Sequence, residues 1–235
     1  ATAAGNVSRY AYNRSHGLID IQDPAGNHSA RNDYDASGRL IATTDANGNQ
    51  ITFTHDLASS EEIIRDRLGS LTLFGYDAAG NVLTKTDALG KIRTYTYDSR
   101  NNPLTETDPL GRVSSKTYDS RNNVLTSTDF EGNTTVNTYN ALGKVLTIVD
   151  PEGRTTTNVY NASGNLTQAT DPEGGLTQFT YNGAGKMLTR TNPLSQVTTL
   201  TYGGAGNNLT ETDPLGNTTA FTYDINGRLL SLTDA

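Results

Sequence analysis

Acidic side chains recur along this chain at one fixed spacing. Asp23, Asp45, Asp66, Asp87, Asp108, Asp129, Asp150, Asp171, Asp213 and Asp234 follow one another every 21 residues after an early one-residue insertion, and Asn192 fills the remaining place. Three chemistries use such groups. Calcium needs about six to eight oxygens converging on one point. Here each repeat offers one Asp or Asn at each of two separate points, so turn-capping is the better reading. Paired carboxylates could serve glycoside hydrolysis, but these carboxylates fall on turns or on exposed strand positions such as Glu106 and Glu211. His16, His28 and His55 could form a metal or acid–base cluster only if neighbouring repeats brought them together. All three lie where the repeat is least regular, which reads as repeat decay. No catalytic, cofactor-binding or metal-ligating residue is assigned, and no cofactor is expected.

Composition narrows the remaining classes. The 235 residues contain no Cys, no Trp and one Met, so disulfides, thiolate zinc sites and cysteine nucleophiles are excluded. A formal charge of −7 opposes nucleic-acid binding, which needs a basic face to meet phosphates. No apolar run is long enough for a membrane-spanning helix. The start, Ala1-Thr2-Ala3-Ala4, has neither the basic nor the apolar region of a signal peptide. The chain reads as a fragment, a mature product or a segment of something longer. Leu, Ile, Val and Phe together make up only about a fifth of it, near the level at which disorder becomes a live reading. Thr (37), Asn (23) and Gly (23) dominate instead. Eight Asn-x-Ser/Thr sequons, at Asn6, Asn13, Asn27, Asn133, Asn161, Asn165, Asn208 and Asn217, follow from that composition. They carry weight only in a secreted eukaryotic protein.

The elements that hold these residues follow from the same period. Tyr34, Tyr76, Tyr97, Tyr118, Tyr139, Tyr160, Tyr181, Tyr202 and Tyr223 share one lattice, with His55 in the open slot and Tyr12 one residue out of step. Four residues after this anchor comes Gly38, Gly80, Gly143, Gly164, Gly185, Gly206 or Gly227, replaced by Asn101, Asn122, His16 or Ser59. Fourteen residues after it comes Gly26, Gly48, Gly69, Gly90, Gly111, Gly132, Gly153, Gly174 or Gly216, with Ser195 in one unit and Gly5 in the place before Tyr12. Each unit therefore carries two turns, Tyr-Asp-x-x-Gly and Thr-Asp-Pro-x-Gly. The Asx side chain bonds its own backbone two residues on, and Gly accepts the positive φ. Between the turns lie runs of about six β-branched and aromatic residues, such as 81–86 and 92–97. Residues 59–67, which could form a helical turn, read as a degenerate strand because the register resumes at Gly69.

Two strands and two tight turns per unit predict an all-β antiparallel hairpin meander of roughly 20–22 strands. So many strands accumulate twist, and the sheet is expected to curve or spiral. A parallel β-helix is the alternative, since 21 residues could make one coil. Residues 1–235 read as one array of about eleven units, irregular over 1–75 and regular over 76–235. Neither face of the strands is strongly apolar. The sheet is expected to be a thin wall stitched by Thr and aromatic ladders.

The pattern Tyr-Asp-x-x-Gly-(Arg/Asn)-(Leu/Val)-Leu-Thr-x-Thr-Asp-(Pro)-x-Gly resembles the YD repeat of the RHS family. Tyr34-Asp35-Ala36-Ser37-Gly38-Arg39-Leu40, Tyr223-Asp224-Ile225-Asn226-Gly227-Arg228-Leu229 and Thr212-Asp213-Pro214-Leu215-Gly216-Asn217 carry the likeness. The family includes bacterial RHS polymorphic toxins, Tc toxin shell components, wall-associated YD-repeat proteins and teneurins. The resemblance implies a hairpin strip that spirals into a hollow shell, enclosing a C-terminal toxic domain in the toxin members. Its expected partners are the rest of a longer shell and an enclosed toxin, and its expected location is secreted or at the cell surface. The chain departs from complete members by lacking a distinct toxin domain and the self-cleavage block that ends the shell. A segment of wall with no catalysis of its own is therefore expected. The alternative is an extracellular adhesion module binding a glycan or a cell-surface protein, with self-association through open sheet edges.

Overall fold

A computed structural model describes residues 7–234; Gly5 and Asn6, named above, lie outside them. The described residues divide after Ser115 into two compact units. The first holds β1 (Arg9–Tyr12), β2 (Leu18–Gln22), β3 (His28–Tyr34), β4 (Leu40–Asp45), β5 (Gln50–Asp56), β6 (Glu61–Arg65), β7 (Leu71–Tyr76), β8 (Val82–Thr86), β9 (Ile92–Tyr97) and β10 (Pro103–Thr107). The division falls inside β11 (Val113–Tyr118). The second unit continues with β12 (Val124–Thr128), β13 (Thr134–Tyr139), β14 (Val145–Val149), β15 (Thr155–Tyr160), β16 (Leu166–Thr170), β17 (Leu176–Tyr181), β18 (Met187–Thr191), β19 (Val197–Tyr202), β20 (Asn208–Thr212), β21 (Thr218–Tyr223) and β22 (Leu229–Thr233). Within each unit the strands pair antiparallel with their neighbours in the chain, as in β7–β8–β9 and β17–β18–β19. That pairing excludes the parallel coil. Residues 61–65 form β6, a strand and not a helical turn.

Both turns of a unit close by one device. The Asx backbone N–H donates to the carbonyl four residues on, and the N–H three residues on donates back to the Asx carbonyl. This is a type I turn followed by a left-handed residue in a bulge, a common three-residue hairpin loop. Gly80 has φ 86° and Gly111 has φ 80° at that residue. Asn101 and Asn122 adopt 63° and 66° in the same slot, which Asn tolerates better than most side chains.

The two turns differ in what happens beside them. At most first turns the register slips by one residue next to the anchor tyrosine. Gly75 pairs with Thr84 and Tyr76 with Val82, leaving Leu83 as the extra residue. The same slip recurs at Tyr139, Tyr160, Tyr181, Tyr202 and Tyr223. The β5–β6 hairpin is the exception. It pairs without a slip from Thr52–Arg65 to Asp56–Glu61. Its left-handed residue is Ser60, not Ser59 as the repeat lattice places it.

No enclosed core forms among the described residues. Among the described residues the buried ones are Ala42 at 6% exposure, Asp108 at 5% and Thr198 at 7%. Cross-strand pairs hold the faces instead. On one face Thr96 meets Thr105, and in the second unit Thr117 meets Thr126, Thr138 meets Thr147, Thr180 meets Thr189 and Thr201 meets Thr210. Each of these hydroxyl pairs is 2.6–2.7 Å apart. Such pairs contribute about 0.2–1 kcal/mol each. The row breaks where Val159 faces Gln168.

Candidate functional site

The residues with the most specific bonding are the turn aspartates. Asp77 Oδ1 accepts the backbone N–H groups of Ala79 and Asn81 at 2.8 Å each, and its Oδ2 accepts the Asn81 amide at 2.8 Å. At the second turn Asp108 Oδ1 accepts from Leu110 and Arg112, and Oδ2 accepts Arg112 Nε at 2.7 Å. Asp45, Asp129 and Asp213 bond likewise to Asn49, Asn133 and Asn217, and Asp150 to Arg154. Asp87 caps its turn through two backbone N–H groups, and Asp171 bonds the backbone N–H of Gly175. The sequence reading missed the residue four places on. Its signal was the recurrent Asn or Arg directly after the turn glycine.

These bonds favour the ionised carboxylate. The Asn102 side-chain amide, then its backbone N–H, hold Asp98 at about 2. The amides of Asn81, Asn123 and Asn133 similarly lower Asp77, Asp119 and Asp129. At Asp108 burial is the largest influence and acts upward, but the Arg112 bonds and the backbone donors outweigh it, so its carboxyl too lies below the ordinary value.

The anchor side chains perform a second task. The slip beside a first turn shortens the ladder on the far side of the strand, so β8 and β9 pair only from Thr84–Thr94 to Thr86–Ile92. The carbonyl at the start of β8 lies beyond that ladder. The Tyr97 hydroxyl donates to this Val82 carbonyl at 3.0 Å. Tyr139 donates to Val124 at 2.8 Å, Tyr160 to Val145 at 3.1 Å and Tyr34 to Leu18 at 3.0 Å. His55 does the same work, with Nε2 at 2.8 Å from the Leu40 carbonyl. Because β5–β6 has no slip, β6 and β7 pair along their whole length, from Glu61–Gly75 to Arg65–Leu71. Tyr76 then donates to Glu62 Oε2 at 2.9 Å, and His55 Nδ1 lies 3.2 Å from Glu62 Oε1.

Two predictions arise here. Tyr97→Phe leaves the Val82 carbonyl without its donor and is expected to cost about 0.5–1.5 kcal/mol, read from the urea midpoint. Burial, then the bond to Glu62 and its charge, push the Tyr76 phenol up to about 12. A folded-state value above the unfolded one gives stability that is complete below about pH 10 and is lost as pH rises toward 12. Alkaline melts are therefore expected to show a fall over this range that Tyr76→Phe reduces.

The three histidines are not brought together. His16 occupies the left-handed position of the first turn (φ 64°), His28 Nδ1 lies 2.8 Å from Asp20 Oδ1, and His55 is on β5. Asn208 departs from its row. Its counterparts are Val82, Val124, Val145 and Met187, whereas the buried Asn208 Oδ1 has no partner among the described residues. Asn208→Val is expected to stabilise the protein by about 1 kcal/mol, measured as a rise in Tm.

The two turn rows also differ in packing. In the second unit each first-turn glycine is approached by the unit before it: Asn123 at Gly143, Leu142 and Lys144 at Gly164, Asn165 at Gly185, Lys186 at Gly206 and Asn207 at Gly227, all at 3.4–4.0 Å from where a Cβ would stand. Second-turn glycines such as Gly132, Gly153, Gly174 and Gly216 have nothing within 4 Å of that point.

A family description, RHS Repeat, matches residues 34–59, 63–92, 76–113, 97–134, 139–176, 160–195 and 205–235. Among solved structures, the crystal structure of TcdB2-TccC3-Cdc42 superposes with a TM-score of 0.76 at 16% identity, covering 100% of this chain and 14% of that one. That of TcdB2-TccC3 without its hypervariable C-terminal region gives 0.63 at 18% identity, covering 100% and 13%. TcdB2-TccC3-TEV gives 0.63 at 16% identity, covering 97% and 16%. The likeness at these identities is one of fold, and the chain spans about a seventh of those chains' length. No curated protein matches it. The 21-residue hairpin unit with its two Asx-Gly turns, found nearly from end to end, is the repeat that this family describes, and the chain belongs to the RHS repeat family.

Proposed function

We propose that this chain is a non-catalytic segment of a larger RHS shell wall, and that the shell encloses a toxin or effector domain for delivery outside the cell. The observation that carries the reading is the fit of the whole chain to 14% of a TcdB2-TccC3-Cdc42 chain. A thin sheet with few buried residues and a regular ladder suits a wall, because its stability accumulates from neighbour to neighbour without a thick core. In this reading the turn residues and anchor side chains are structural, and the partners are the remaining shell and its cargo. The test is limited proteolysis of the parent protein with its downstream region in place. Protection of a downstream domain that is digested quickly when produced alone supports enclosure. Equal digestion in both settings, or a parent that ends just after residue 235, removes the reading.

A further inference from the structure

Three successive second turns of the first unit, after β6, β8 and β10, each raise one leucine. Leu68, Leu89 and Leu110 stand directly before the left-handed glycine and are 92%, 81% and 81% exposed. The turn does not require them, since Ala25, Asn47, Glu131, Glu152 and Glu173 fill the same slot in other repeats. In the second unit only two adjacent turns carry it, at Leu194 and Leu215. Successive second turns are two strands apart, so the three tips follow one another at about 9–10 Å along one edge. Each turn also holds one Asp and one cation: Asp66 with Arg67, Asp87 with Lys91 and Asp108 with Arg112. The row is therefore raised, apolar at its tips and without net charge, which marks an interaction surface.

A matching seat lies at the first turns of the second unit. Concavities open at first turns in both units, and two of them are lined by charges, Asp119 with Arg121 and Asp56 with Glu61 and Glu62. The one beside the turns after β15 and β17, about 670 Å³, has no charged residue and has Phe179 and Tyr181 in its wall. The turns after β15, β17 and β19 use Asn161, Asn182 and Gly203 where Asp77, Asp98 and Asp119 stand in other repeats. An apolar guest there desolvates no turn carboxylate, which would be costly. The tips of these turns are Ala162-Ser163, Gly183-Ala184 and Gly204-Ala205, all exposed. Leu142 and Ile225 stand at the turns on either side, so the three low tips form a notch. Raised leucines and low tips thus come in threes at the same two-strand pitch. An unrelated surface has no reason to repeat at that pitch, whereas a second copy of this chain does. We infer that the leucine row of one copy docks on these three first turns of a second copy, with Leu89 over Gly183-Ala184 at the mouth of the hollow. The two surfaces differ, so every docked copy keeps one of each free, and association runs on into open stacks.

Sedimentation equilibrium of the 235-residue chain over a wide concentration range tests it. The average mass is expected to climb past that of a dimer. Leu68→Glu, Leu89→Glu and Leu110→Glu together place at these tips the residue that Glu131, Glu152 and Glu173 supply in other turns, so the fold is safe, and a melting curve checks that. The triple variant should weaken association by about tenfold or more. Ala184→Arg fills the notch with the residue that Arg100 and Arg121 place in that slot, and should act likewise. Ala79→Arg, in the same slot of the first unit, should leave association unchanged. The chain has no Cys, so Leu89→Cys and Ala184→Cys chains mixed under oxidation should link faster than either alone. A parent chain that stays monomeric or stops at a dimer, association that survives the triple change, equal effects of the two Arg changes, or faster linking of Leu89→Cys to itself each overturns the docking. None of these results bears on the enclosure reading, which proteolysis decides separately.

Discussion

Acidification to about pH 2 is expected to weaken the strand array, with the steepest loss of urea midpoint between about pH 4 and about pH 2. Asp23, Asp35, Asp45, Asp56, Asp77, Asp98, Asp108, Asp119, Asp129, Asp150 and Asp213 all have carboxyls held below the ordinary value of 3.8. A depressed folded-state value means that the unfolded chain binds more protons in that window. The contribution is present above about pH 4 and is lost as pH falls through the folded values, about 2 at Asp98. The eleven groups titrate in one narrow range, so small shifts add. Circular dichroism in urea at stepped pH reads the effect, and a midpoint at pH 2 no more than about half that at pH 7 is expected. Asp98→Asn keeps an Oδ1 acceptor without a titrating group, as Asn140 does naturally. That variant should show a shallower acid slope, and an unchanged slope would separate acid lability from the turns.

The second large effect belongs to the left-handed turn residue. Gly143 has φ 72°, and a Cβ there would already stand 3.4 Å from Asn123 Oδ1. Gly143→Val forces a β-branched side chain into that region, and its methyls must displace the Asn123 amide. A cost of about 1–3 kcal/mol is expected, or about 2–4 °C in Tm for each kcal/mol. Gly153→Val, at φ 80° in open space, should cost less. Gly143→Asn should be nearly neutral, because Asn101 and Asn122 already occupy the same slot. Equal losses for Val and Asn would show that the slot does not depend on backbone conformation.

The strands and turns were readable in the sequence because each leaves a compositional mark. A turn needs an Asx acceptor and a residue tolerant of positive φ, and the strands between are filled with Thr and aromatics. The slip beside the first turn leaves no such mark. Leu83 is an ordinary strand residue in composition, and only the pairing of Tyr76 with Val82 shows that it is the extra one. For the same reason the anchor's task stayed hidden. The 21-residue beat indicates that Tyr matters, but the bond from Tyr97 to Val82 depends on a ladder that stops early. His55 reads as decay by type, yet it meets the Leu40 carbonyl as a tyrosine would. The β5–β6 hairpin keeps the overall period, so nothing in the spacing reveals its missing slip or moves the left-handed residue from Ser59 to Ser60.

Within each unit the strand contacts run between chain neighbours, and this bears on how the chain is made. Loop closure is short at every step, so forming a hairpin never requires waiting for a distant segment. A nascent chain can add each hairpin to the last as it leaves the ribosome. The growing edge during synthesis is then always the newest strand, and the interval in which that edge can pair with a stranger is set by the translation rate rather than by a slow search.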